Sequence, residues 1–127
     1  MDYPAYIKSY NMTNNEQQTG LQFFTEDVLL EDGNRKIQGR EQVIKVLEEA
    51  HNGINEELQI RAWAQTGETL LAELDGEFIS DEDAPQHFFY PFKKGEKVRF
   101  RFLVAYTVVA GRFSNIRITY WPSPISA

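Results

Sequence analysis

The hydrophobic positions divide the chain into a helical first part and a strand-rich second part. Up to about residue 53 the hydrophobic residues recur every three or four positions, which is the spacing of an amphipathic helix. From about Leu58 they alternate with polar residues, as in strands with one buried face. Helices followed by antiparallel strands are typical of an α+β fold, in which the helices pack on one face of a sheet.

Three helices are predicted before the change of period. The first runs from about Pro4 to Asn11, with its tyrosines on one face. Thr13-Asn14-Asn15-Glu16 has the form of a capping box and predicts a second helix that extends to about Phe24. The third begins at Gly39 and ends at Asn52-Gly53, since glycine is common just after a helix.

The strands form a short hairpin and a longer meander. The hairpin turns at Asp32-Gly33, and the last turn of the meander lies at Gly111. Long strands of this kind bend, so we expect residues 1–127 to form a single domain with a cone-shaped, curved antiparallel sheet closed by the three helices. The interior of such a sheet is a natural small-molecule pocket.

Composition limits the possible functions. The net charge is −6, so a nucleic-acid partner is not expected. The chain has no cysteine, and His51 and His87 lie too far apart in sequence to suggest a zinc site, so we expect no metal and no cofactor. No apolar run approaches the ~18 residues of a membrane span, and the N-terminus lacks a signal-peptide pattern. We therefore expect a cytoplasmic protein without a membrane partner.

Three short motifs carry a family resemblance. They are FFTEDVLLED (Phe23–Asp32), IQGREQV (Ile37–Val43) and a terminal GR…YW (Gly111–Trp121). In this order and spacing they resemble the ketosteroid isomerase-like and SnoaL-like families of the nuclear transport factor two-like superfamily. The resemblance implies a cystatin-like cone and homodimers formed through the outer face of the sheet. These families include isomerases, polyketide cyclases, dehydratases and epoxide hydrolases.

The resemblance also implies roles for individual residues. Asp32 matches the general base of the isomerases, which moves a proton at the carbon beside a carbonyl group. Ketosteroid isomerase is itself a standard example of an enzyme that tunes the pKa values of its carboxyl groups. Tyr6, in YIKSY, matches the tyrosine that donates a hydrogen bond to the developing enolate. Asp32 and Tyr6 would then line one apolar pocket, with Phe24 and Trp121 among its walls. His87 is not part of the matched motifs; from its place after an acidic loop it is expected at the pocket rim as a further ligand-binding residue.

Two features of those families are missing. The isomerases have a second carboxylic acid on the penultimate strand, where residues 102–105 of this chain read FLVA. The oxyanion hole would be incomplete, which argues against steroid isomerase activity. The Arg-Asp pairing of the epoxide hydrolases is also absent, because Arg99 and Arg101 have no acid two residues on.

Each candidate has a structural alternative. Asp-Gly is a common turn pair, so Asp32 is equally explained as a turn residue. A tyrosine on a helix stripe usually packs in the core, which applies to Tyr6. His51 lies in the last turn of the third helix, where a histidinium favours the negative helix end.

The last strand has two possible registers. Arg117 and Trp121 share one face, and Ile116 and Ile118 share the other. Matching Trp121 to the pocket tryptophan of the isomerases places Arg117 inside the pocket as a ligand-binding residue. There the carboxylate of Asp32 or Glu31 would pair with its guanidinium. The opposite register places Arg117 in solvent, which avoids burying an unpaired charge.

Two functional hypotheses remain. The first is an isomerase, cyclase or dehydratase that transfers a proton on a small apolar carbonyl compound, with Asp32 as base and Tyr6 as donor. The second is a non-catalytic, dimeric ligand-binding or accessory domain. A homodimer is expected in either case, because Trp63 and Leu71 are apolar residues on otherwise polar strand faces.

Overall fold

The computed structural model describes residues 1–123, which form three helices and six strands. The helices are α1 (Tyr3–Tyr10), α2 (Glu16–Phe23) and α3 (Arg40–Ala50), and the strands are β1 (Phe24–Asp32), β2 (Arg35–Gln38), β3 (Ile54–Thr66), β4 (Thr69–Ser80), β5 (Lys97–Val109) and β6 (Arg112–Pro122). The predicted order of helices and strands is confirmed. Within the described residues, no helix combines the length and apolar character needed to cross a bilayer.

The six strands form one sheet in the order β2-β1-β6-β5-β4-β3. The prediction of a purely antiparallel sheet was wrong at one place, because β1 and β6 are parallel. Parallel neighbours need a long connection, and here β2, α3 and three further strands separate the two in sequence. Alternation shows which side of a strand is buried, but it does not show which strand lies beside it. The sheet is open, with β2 and β3 at its edges.

The residues before α1 and α3 favour the start of a helix. The Asp2 carboxylate accepts a hydrogen bond from the backbone N–H of Ala5 at 3.1 Å and thereby caps α1. Gly39 precedes α3 with a φ of +99°, a conformation that favours glycine, and its predicted place at the start of this helix is confirmed. Both helices turn apolar faces toward the sheet, including Tyr3 and Tyr6 from α1 and Val43 from α3.

A bulge in β3 changes which side chains face the helices. The pairing with β4 shifts between Ile60 and Ala62, so Trp63 aligns with the buried Ala72. The Trp63 ring lies on the helix side of the sheet, with its centroid 5.6 Å from that of Tyr3. One extra residue reverses the alternation after it, so the Trp63 ring packs on the helix side, although the residue also lines a depression on the other side of the sheet.

Gly20 allows α2 and α3 to pack closely. A Cβ atom at this position would lie 2.4 Å from both Cδ1 and Cγ1 of Ile44 in α3, well inside van der Waals contact. The absence of a side chain at Gly20 thus sets the distance between the two helices, and α3 in turn covers β1.

We predict that Gly20→Ala lowers the free energy of unfolding. On an unhindered helix the change would add about 1 kcal/mol of stability, but the contact with Ile44 should cost on the order of 1–3 kcal/mol. Urea denaturation of the single variants and of Gly20→Ala/Ile44→Ala gives a double-mutant cycle. The double variant should lose less stability than the sum of its parts, because Ile44→Ala removes the colliding atoms. A Gly20→Ala protein more stable than wild type would contradict this packing.

Candidate functional site

A small cavity lies between the inner face of the sheet and the helices, and it has two chambers. The tyrosine chamber, lined by Tyr6, Tyr10 and Tyr106 among others, has a volume of about 60 Å³. The phenylalanine chamber, which includes Phe78 and Phe89, has a volume of about 80 Å³. The residues that line both are Tyr10, Leu30, Leu47, Glu56, Phe102 and Ile118. Together the chambers approach the roughly 150 Å³ of a cavity that admits benzene, well below the roughly 300–1,000 Å³ of drug-sized sites.

Tyr6 and Phe24 lie in the wall of the tyrosine chamber. Tyr6 is buried, and its ring centroid lies 4.7 Å from that of Phe113. Burial, followed by the nearby Tyr3 and Glu56, raises the pKa of Tyr6 well above its ordinary value. The phenol therefore stays protonated at neutral pH and can donate a hydrogen bond into the chamber.

Asp32 lies in the wall of the phenylalanine chamber, and both of its carboxylate oxygens are engaged. Arg35 donates from Nε to Oδ1 at 3.0 Å and from Nη2 to Oδ2 at 2.6 Å. This bidentate pair spans the β1–β2 turn, so Asp32 faces the interior and also supports the turn. Asp32 lines the phenylalanine chamber and Tyr6 lines the tyrosine chamber of the same cavity.

His87 and Phe88 form the rim of the phenylalanine chamber together with Arg35. The guanidinium of Arg35 lies 4.2 Å above the Phe88 ring, and the His87 ring stacks on Phe88 at 4.6 Å. His87 Nε2 donates to the Ala50 carbonyl at 3.2 Å, and Nδ1 accepts from the N–H of Phe89 at 3.1 Å. Burial, with smaller effects of the Arg35 and His51 charges, lowers the pKa of His87. His87 is thus a neutral rim residue with both nitrogens occupied.

Arg117 and Trp121 do not face the cavity. The β6 strand has the register in which Ile116 and Ile118 point inward. Trp121 pairs with Arg101 on the outer face and is 45% exposed, while the exposed Arg117 donates to the Asn115 side chain. The placement of Trp121 in the pocket wall was wrong, and so was the inward Arg117. An unpaired guanidinium among aromatic rings would be costly, whereas two isoleucines fit there.

Four polar side chains that the motif match did not identify meet at the wall shared by both chambers. His51 Nε2 lies 2.6 Å from Glu56 Oε1, and the Tyr10 hydroxyl donates to the same oxygen at 2.7 Å. The other ring nitrogen of His51, Nδ1, lies 3.4 Å from Glu16 Oε2. We call Tyr10, Glu16, His51 and Glu56 the buried tetrad. Glu56 was detectable from sequence, because it alternates in phase with Ile54 and Leu58 on the buried face of β3.

The charges of the buried tetrad compensate one another. Burial alone would lower the pKa of His51, but its hydrogen bond to Glu56 and the charges of Glu56 and Glu16 outweigh that effect, and the pKa is raised. Burial and the adjacent Glu56 also raise the pKa of Tyr10 well above its ordinary value. The arrangement is that of a histidinium between two carboxylates, with a protonated phenol beside it. Among residues 1–123, no group of three or more acidic, histidine or cysteine side chains has the arrangement of metal ligands.

The outer face of the sheet has an apolar half and a charged half. A broad depression of about 750 Å³ includes Leu71 and Leu103, which are 55% and 43% exposed. Beside it, Asp75 accepts from Arg61 at 3.0 Å and from Arg101 at 2.7 Å. Hydrogen bonds to these arginines overcome the effect of burial and lower the pKa of Asp75.

Comparison with known proteins identifies the fold. No protein-family model matches the sequence, and no curated protein sequence does at a significant level. Many solved structures are similar. A proposed polyketide cyclase from Pseudomonas putida KT2440 has a TM-score of 0.78 at 16% identity, covering 93% of this chain and 87% of that one.

Two further structures show the range of descriptions attached to this fold. A protein with a ketosteroid isomerase-like fold from Catenulispora acidiphila DSM 44928, in complex with trimethylamine, has a TM-score of 0.75 at 14% identity, covering 93% of this chain and 83% of that one. An LEH-like epoxide hydrolase from M. tuberculosis has a TM-score of 0.69 at 17% identity, covering 91% and 80%. The chain therefore has the nuclear transport factor two-like fold shared by SnoaL-like and ketosteroid isomerase-like proteins.

Proposed function

We propose that this chain is a small-molecule pocket protein of the SnoaL-like type that transfers a proton on a small, mostly apolar carbonyl compound. The observation that carries the proposal is the combination of an aromatic cavity with a carboxylate, Glu56, and two protonated phenols, Tyr6 and Tyr10, in its wall. A base beside phenol donors in an apolar site suits the formation and stabilisation of an enolate. The reaction would be an isomerisation, cyclisation or dehydration.

The size of the two chambers supports a ligand of few atoms. The similar Catenulispora structure contains trimethylamine, which is also a small molecule. We propose that the curved sheet and the helices form a cone around these chambers, with Phe24 in the wall and His87 at the rim. Tyr6 keeps its role as the donor to the carbonyl oxygen.

The second candidate is a non-catalytic binding domain, and the Asp32–Arg35 pair favours it. By the motif match Asp32 corresponds to the isomerase base, but a bidentate guanidinium holds both of its oxygens. A carboxylate held in this way is a poor proton acceptor. If the chain has lost the base of its relatives without another group replacing it, the cavity would bind a ligand without converting it.

We also propose a homodimer through the apolar half of the outer face. Leu71 and Leu103 are large exposed side chains, and small residues around them leave the surface open to a second copy. Exposed apolar patches of this kind are typical of interfaces. The neighbouring Asp75–Arg101 pair would lie at the polar rim.

Leu71→Asp should convert the dimer to a monomer, because it places a charge in the centre of the proposed interface. The matched control is Leu21→Asp, which changes a leucine of similar exposure on α2. Sedimentation velocity at micromolar concentration measures the mass of both variants and of the wild type. A monomeric wild type, or a Leu71→Asp protein that remains dimeric, would contradict this interface.

Cyclopentanone should raise the melting temperature of the wild type in a concentration-dependent manner, since a ligand that binds only the folded state stabilises it. Ile118→Phe should abolish the shift, because this side chain projects into both chambers. Val109→Phe, at an exposed position, is the control and should keep it. A shift that persists in a folded Ile118→Phe protein would show that the ketone binds elsewhere.

A further inference from the structure

The buried tetrad joins four elements at a single point. Tyr10 comes from α1, Glu16 from the first turn of α2, His51 from the residue after α3, and Glu56 from β3. The side chains of Glu16, His51 and Glu56 are 14%, 15% and 9% exposed. A buried ion pair contributes little net stability on average, and removing one partner is costly. A structural link alone therefore does not require ionised groups in this position.

The tetrad separates the interior cavity from a pocket that opens to solvent. Glu56 and Tyr10 line both interior chambers. Glu16, His51 and Glu56 also line a polar surface pocket of about 50 Å³ beside the α1–α2 loop. Exposed residues, among them Asn14 and Asn55, also line that pocket. The same group of side chains thus contacts both compartments.

The second oxygen of Glu56 is the atom open to a bound molecule. Oε1 accepts the hydrogen bonds from His51 and Tyr10, while Oε2 has no hydrogen-bond partner among residues 1–123. This oxygen is not among the fully buried side-chain atoms that lack a partner, so it is accessible from the spaces that Glu56 lines. A carbon acid in the tyrosine chamber would have both Glu56 and the phenol of Tyr6 in the wall around it.

We propose that Glu56 is the proton-transfer group of the cavity and that His51 and Glu16 hold it at the boundary between the cavity and the surface pocket. This inference rests on the proposed function, and it assigns the base of that reaction to Glu56 in place of Asp32. Glu56 would be the catalytic residue, and His51 would be a positioning residue that holds its Oε1.

The steps balance without any co-reactant. Glu56 Oε2 takes a proton from the carbon beside a carbonyl group, the C–H electron pair forms the enolate, and Tyr6 donates a hydrogen bond to the enolate oxygen. The protonated Glu56 then returns a proton to carbon. Between these steps the carboxylic proton of Glu56 exchanges with solvent deuterium from the side of the surface pocket that Glu56 also lines, while His51 keeps both of its protons and holds Oε1. In D₂O the result is replacement of hydrogen by deuterium at that carbon.

The charge state of the tetrad predicts how stability depends on pH. The folded pKa of His51 is raised above its unfolded value of about 6.5, so its contribution is complete below that pH and is lost as the pH rises through the folded pKa. The groups that face it are Glu16, Glu56 and Tyr10, with His87 nearby. The gap in urea midpoint between wild type and His51→Gln should be largest below about pH 6.5 and shrink above it. A gap that grows with pH would contradict a histidinium at this position.

The decisive experiment measures exchange of the α-protons of cyclopentanone in D₂O by proton NMR. The wild type should accelerate exchange, and Glu56→Gln should reduce the protein-catalysed rate by about 100-fold or more, the usual contribution of a positioned base. Glu57→Gln, at the adjacent exposed position, is the matched control and should stay within about twofold of wild type. His51→Gln should lower the rate about 10-fold and alter its pH profile. Asp32→Asn should retain most of the wild-type rate of α-proton exchange, because Asp32 is not the proposed base.

The thermal shift and the exchange rate together show whether the proposed function or only the role of Glu56 is wrong. If cyclopentanone produces no thermal shift, the proposed function fails and the inference fails with it. If it binds but wild-type exchange is absent, or equally fast in Glu56→Gln, the inference is overturned while the binding function stands. Loss of exchange in Asp32→Asn alone would return the role of base to Asp32. If Glu56→Gln does not fold, Glu56→Asp and His51→Gln decide, and unchanged rates in both folded variants overturn the proposal.

Discussion

The pairing of His51 with Glu56 is the interaction around which the interior is organised. A carboxylate on the inner face of β3 is expensive to bury without a counter-charge, because desolvation of each ion costs several kcal/mol. His51 supplies that charge from the end of α3, and Tyr10 adds a hydrogen bond from α1. Glu16 holds the far side of the imidazole from α2. All three helices are thus tied to β3 through one buried ion pair.

Much of the fold could be predicted because the chain follows simple local rules. The change of hydrophobic period separated helices from strands, and Gly39 marked the start of α3. The bulge between Ile60 and Ala62 could not be predicted, since Ala62 and Ala64 continue the apolar alternation of Leu58 and Ile60 in the sequence and give no sign that the phase changes. The parallel β1–β6 pair was equally hidden, because strand partners depend on the path of the whole chain.

The site was predicted less well than the fold, for a related reason. Motif matching identified Asp32 and Tyr6, and both lie in the cavity wall, but in different chambers. It could not show that Arg35 occupies both oxygens of Asp32, nor that Trp121 lies on the outer face. Glu56 lies outside every matched motif. It alternates with Ile54 and Leu58 on β3, however, and this pattern predicts that its carboxylate faces inward. The fold shared with cyclases, isomerases and hydrolases leaves the chemistry to such individual residues.

The most direct test of the buried ion pair is a ¹⁵N NMR measurement of the His51 ring at neutral pH, with Glu56→Gln as reference. The pair requires both ring nitrogens of His51 to carry protons in the wild type, with the imidazolium persisting to a pH above the ordinary range of histidine. In Glu56→Gln the ring should lose its proton at a lower pH. A neutral His51 in the wild type at pH 7, or the same titration in both proteins, would contradict the account.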